Sequence, residues 1–79
     1  MGTVLLVEDQ PQLRELIEII LGDSGYEVLS AGNGQEALSL AESHSRPIHL
    51  LLTDLVLPGM SGEELAGRLK AHKIGRAHV

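Results

Sequence analysis

TVLLV at 3–7 is five apolar or β-branched residues in a row with no polar alternation. Such a run reads as a short strand buried on both faces of a sheet. The period then changes. Leu13, Leu16, Ile17, Ile20 and Leu21 recur at helical spacing, with Arg14, Glu15 and Glu18 between them, which predicts an amphipathic helix over about 11–23. Pro11 suits its first turn, where a missing N–H costs nothing, and Gly22 and Gly25 bracket its end. YEVLSA at 26–31 alternates apolar and polar and predicts a less buried strand at a sheet edge. Asn33 offers an N-cap with Glu36 three residues on; Ala37, Leu38 and Ala41 then share one face of a second helix reaching about His44. Ser45, Arg46 and Pro47 stop it. IHLLLTD at 48–54 is a third strand, and LVLPGM is a loop. Ser61 with Glu64 forms a second capping box, opening a third helix through Leu65, Ala66 and Leu69.

Strands alternating with helices at this spacing predict an α/β fold, with a parallel sheet and right-handed crossovers. With the second strand at the edge, the first and third are neighbours. A chain of 79 residues is one domain at most. Tyr26 is its single aromatic residue, so the core must be aliphatic. The absence of cysteine excludes a disulfide framework and a thiolate metal site, and fits a reducing compartment. A net charge of −5 repels phosphate backbones and argues against nucleic-acid binding. No apolar run approaches a membrane span, and the N-terminus lacks a basic signal-peptide region. A soluble cytoplasmic protein without membrane contact is expected. His44, His49, His72 and His78 show no metal-ligand spacing and are expected to be surface groups.

The chemistry concentrates at strand ends. The first strand ends in Glu8-Asp9 and the third in Asp54. In a parallel sheet these ends lie on one side, where open α/β sheets bind ligands. Each feature alone has a plainer reading: Asp54 as a turn residue, Glu8-Asp9 as a helix cap. Together, on neighbouring strands, they predict three converging carboxylates. Such a cluster calls for a hard cation, and Mg2+ takes oxygen ligands of this kind. An Asp beside it can be a nucleophile toward a phosphoryl group.

VLLVEDQ, the stretch GYEVLSAGNGQEAL and Asp54 within LLLTDLVLPGMSGEEL resemble, in order and spacing, the receiver domain of two-component response regulators. The resemblance covers about 3–70. It implies a flavodoxin-like doubly wound parallel sheet, here truncated to three βα units with strand order 2-1-3. It also implies that Asp54 accepts a phosphoryl group from a phosphohistidine. Mg2+ would be bound by Asp9 and Asp54, by Glu8 through water and by the Val56 backbone carbonyl. The implied partner is a histidine kinase or a histidine phosphotransfer domain. The module would be a phosphoacceptor and not an enzyme in itself. The phrasing around Asp54 looks most like receivers attached to hybrid histidine kinases.

The family has five strands. The Ser or Thr after strand four and the Lys after strand five have no counterpart here, and Lys70 and Lys73 lie at the wrong place to substitute. IGRAHV is also the translation of a common short-read sequencing adapter. The expectation is therefore a partial receiver over 1–73 and a non-native or frayed tail over 74–79, leaving the third strand as an exposed edge. Three alternatives stand beside this. G-N-G-Q-E-A at 32–37 matches the dinucleotide fingerprint G-x-G-x-x-A after a strand, with Asp54 about 20 residues on. An aspartyl phosphatase would want Asp-x-Asp at the first strand tip, which VEDQP lacks. A receiver-like module that binds partners without phosphorylation is the third.

Overall fold

The computed structural model describes residues 2–54, 56–57, 59–69 and 76–78. In order they form β1 (Thr3–Val7), α1 (Pro11–Asp23), β2 (Glu27–Ala31), α2 (Gly34–Ser43), β3 (Leu50–Thr53), β4 (Val56–Leu57), β5 (Met60–Ser61), α3 (Gly62–Leu69) and β6 (Arg76–His78). The main sheet runs β2-β1-β3-β6. All its pairings are parallel, with Val7 opposite both Ala31 and Thr53. The predicted 2-1-3 order, with β2 at an edge, is present.

Every residue of β1 is buried, as its unbroken apolar run requires for a central strand. Side chains alternate across the sheet. Leu5, Val7, Ala31 and Leu51 face one side and pack with Ala37 and Ala41 of α2 and Leu65, Ala66 and Leu69 of α3. Small alanines let α2 approach the sheet, and the leucines of α3 fill the remaining volume. Leu6 and Leu52 face the other side, where Leu13 and Ile17 of α1 line a cavity with them. α1 has no buried residue; Leu16 is 53% and Ile20 54% exposed.

Two expectations need correction. LVLPGM is not a loop throughout: Val56–Leu57 pairs antiparallel with Met60–Ser61, and Gly59 turns between them at φ 76°. Glycine suits that turn because it takes positive φ without a Cβ clash. Leu55 and Pro58 lie outside the described residues. The second correction concerns β3, which is not an exposed edge. Arg76–His78 pairs with it from Leu51 to Thr53, so these three residues form a strand. The unmet backbone groups of β3 offer that pairing whatever the side chains of the added strand. Lys70 and Lys73 lie outside the described residues.

Candidate functional site

β1 and β3 run side by side, and their last residues, Val7 and Thr53, are paired. The residues that follow, Glu8-Asp9 and Asp54, therefore leave the same sheet edge next to each other. One carboxylate oxygen from each of Glu8, Asp9 and Asp54 falls within 4.8 Å of the others. The predicted convergence is present. Glu8 is buried at 6% exposure, whereas Asp9 and Asp54 are exposed. Two like charges about 4 Å apart repel by about 1 kcal/mol in water and about 4 kcal/mol near a protein surface. A hard cation with oxygen ligands relieves that repulsion.

Local bonds fix these groups. The Glu8 N–H donates to the Ala31 carbonyl at 3.0 Å, and Glu8 Oε2 accepts from the Gln10 N–H at 3.0 Å. The buried carboxylate is thus folded back over the turn that carries Asp9. Beside Asp54, Thr53 Oγ1 donates to the Asp54 carbonyl at 3.0 Å. Val56, two residues on, opens β4 opposite Ser61. A cavity of about 220 Å³ lies against the cluster, with Leu6, Leu13, Ile17 and Leu52 as its apolar wall and Glu8 and Asp54 also lining it.

Sequence pattern missed two supports of the site. Arg14, read only as a polar residue of an amphipathic helix, donates through Nη1 to the Glu8 carbonyl at 2.9 Å. Gly34 is the second: a Cβ there would sit 2.8 Å from Met60 Sδ, so its bareness lets α2 meet the β4–β5 hairpin. Neither contact leaves a periodicity or spacing signal.

The G-N-G-Q-E-A turn is occupied by its own chain. Asn33 Oδ1 accepts from the Glu36 N–H at 2.8 Å, and Glu36 Oε1 accepts from the Gly32 N–H at 2.7 Å. The Ala37 N–H donates to the Asn33 carbonyl at 3.1 Å. The Gly32 and Glu36 N–H groups are thus satisfied within the turn, and the Glu36 carboxylate adds a negative charge beside a helix N-terminus that a pyrophosphate would have to share.

A family model described as the response regulator receiver domain matches residues 4–78. The chain belongs to the receiver domain family. Among curated proteins, this receiver is 46% identical over 70 residues to the transcriptional regulatory protein AruR of Pseudomonas aeruginosa, covering 85% of this chain and 29% of AruR. It therefore spans less than a third of that relative's length. Among solved structures, it superposes on the Thermotoga maritima response regulator TrrA in complex with Mg(2+)-BeF. There the TM-score is 0.84 and the identity 37%, covering 96% of this chain and 66% of TrrA. A second structure holds TrrA in complex with the histidine kinase ThkA; the match there has a TM-score of 0.82 and 35% identity, covering 99% of this chain and 67% of the other. Among the described residues, no helix of this receiver is long and apolar enough to cross a membrane.

Proposed function

We propose that this receiver accepts a phosphoryl group on Asp54 from a phosphohistidine of a histidine kinase or phosphotransfer domain. Mg2+ is held by Glu8, Asp9, Asp54 and the Val56 backbone carbonyl. The observation that carries the reading is the gathering of three carboxylates within 4.8 Å at the ends of β1 and β3. Their donor set, all hard oxygen with two carboxylates open to water, fits a Mg2+ ion that keeps several waters. The TrrA structure with Mg(2+)-BeF and the ThkA–TrrA complex support the same ligand and partner classes. The reading places the chain in the cytoplasm as a phosphoacceptor and not as an enzyme in itself.

In the proposed step an Asp54 carboxylate oxygen attacks phosphorus. The new P–O bond forms as the P–N bond to histidine breaks; the histidine nitrogen keeps the bonding pair and takes up a proton. The product is an acyl phosphate. Bound Mg2+ supplies positive charge against the phosphoryl oxygens. Glu8, held by the Gln10 N–H, keeps one buried acid fixed, while exposed Asp9 and Asp54 face arriving ions.

Calorimetric Mg2+ titration tests this. Binding at about 0.1–10 mM, as expected of a site with few carboxylates, should weaken at least several-fold in Asp54→Asn. Treatment with a small acyl phosphate should add one phosphoryl group to the parent, read by mass spectrometry, and none to the variant. Equal Mg2+ binding by both proteins, or none by the parent, overturns the assignment.

A further inference from the structure

β1 and β2 are joined by a regular parallel ladder, which begins where the Glu27 N–H donates to the Gly2 carbonyl at 3.1 Å. It reaches the rung in which the Glu8 N–H donates to the Ala31 carbonyl at 3.0 Å. In an evenly spaced parallel ladder the next rung would bring the Asn33 N–H to the Glu8 carbonyl. The chain has left the sheet by then: Asn33 caps α2, and the Gly32 N–H is bonded to Glu36. Arg14 Nη1 donates to the Glu8 carbonyl instead, at 2.9 Å. A Cβ on Gly32 would lie 3.1 Å from Nη1 and 3.9 Å from Cζ, so the guanidinium is seated over that bare glycine.

We infer that Arg14 is a positioning residue: seated over Gly32, its guanidinium replaces the missing rung of the ladder and fixes the Glu8 peptide, and with it the Glu8 and Asp9 carboxylates, for the cation. The inference rests on the Mg2+ reading above. Glu8 is tied at its N–H by Ala31, at its carbonyl by Arg14 and at its side chain by the Gln10 N–H. The carbonyl bond is the one that spans from α1 to the strand end. Without it the turn through Asp9 keeps only its local bonds. A side chain six residues along the chain thus sets the geometry of two acids without touching the ion.

The charge of Arg14 works in the opposite direction. A cation near the site repels Mg2+, so its removal by itself would tighten binding. The two effects have opposite signs, and experiment separates them. Mg2+ titration of the parent chain is compared with Arg14→Met, which keeps the stem but loses charge and donors, and with Arg14→Lys, which keeps a charge and a donor. Amide hydrogen exchange of the metal-free proteins is read in parallel. Arg14→Met is expected to bind Mg2+ about tenfold more weakly, the low end of what an outer partner of a ligand costs. Its Asp9 and Gln10 amides should exchange about tenfold faster without metal, on the scale of one lost charge-assisted hydrogen bond. Arg14→Lys should recover most of both effects. Gly32→Ala, which keeps the arginine but fills its seat, should reproduce part of the loss and add little to Arg14→Met.

Equal or tighter Mg2+ binding by Arg14→Met overturns the inference, and so does unchanged local exchange. If the parent takes up no Mg2+, the metal reading fails separately, and the exchange data alone decide the positioning role. If Arg14→Met raises exchange throughout the chain, Gly32→Ala decides, because it retains the arginine.

Discussion

Asn33 and Glu36 tie the end of β2 to the start of α2. The capping pair is visible in the sequence, and its first bond, Asn33 Oδ1 to the Glu36 N–H, forms as the motif requires. Its second bond goes one residue further back than the usual pattern. Glu36 Oε1 takes the Gly32 N–H, at 2.7 Å. The chain is turning out of the sheet there, and the Gly32 N–H faces away from β1, free of the ladder. Removing the cap oxygen strands the Glu36 N–H at the helix end. Asn33→Ala is expected to lower unfolding free energy by about 1 kcal/mol, and Asn33→Ser to be nearly neutral. Urea denaturation of the two variants checks this; equal loss in both would mean that the side chain, and not the cap bond, matters.

At the scale of elements, the helices differ in how far their apolar faces are used. α3 presents Leu65 and Leu69, 0% and 1% exposed, to the core side of the sheet. The apolar face of α1 is as regular in sequence but stays half open, because among the described residues no other helix packs on its side of the sheet. Leu69→Ala should therefore cost about 3 kcal/mol, a buried leucine leaving a cavity. Ile20→Lys, at 54% exposure, should cost less than about 1 kcal/mol, since the lysine stem covers some of the same surface. Comparison of their urea midpoints decides, and a large loss at Ile20 would show that α1 is held more tightly than its exposure indicates.

The same contrast explains what was legible. A 3.6-residue period reveals which face of α1 is apolar, but not whether another element covers it; that depends on the far side of the sheet. The unbroken run of β1 and the acids after β1 and β3 were readable because a parallel sheet fixes both burial and sidedness. The β4–β5 hairpin was not. Two-residue strands are too short for any alternation to register, and only the Pro58-Gly59 pair marked the turn. Arg14 was hidden for another reason: its bond to the Glu8 carbonyl belongs to the end of a ladder and not to a motif.

The whole molecule rests on a sheet whose outer strand, β6, is three residues long. Its side chains, Arg76, Ala77 and His78, give no apolar alternation, so nothing in the sequence marked them as a strand. The pairing draws on the backbone of β3, whose N–H and C=O groups would otherwise face water beside Leu50 and Leu52. An uncovered apolar edge is a template for another chain. β3 also carries Asp54 at its end, so fraying at that edge would reach the acid cluster. Deletion of residues 76–79 is thus expected to lower the urea midpoint, promote self-association in sedimentation velocity and weaken Mg2+ binding together. Replacing 76–78 with glycine and serine separates two causes. If main-chain pairing is what matters, this replacement should restore part of the stability despite the entropic cost of glycine in a strand. If it behaves like the deletion, the side chains of β6 hold it in place. A deletion that stays monomeric with an unchanged midpoint would show that β3 needs no cover.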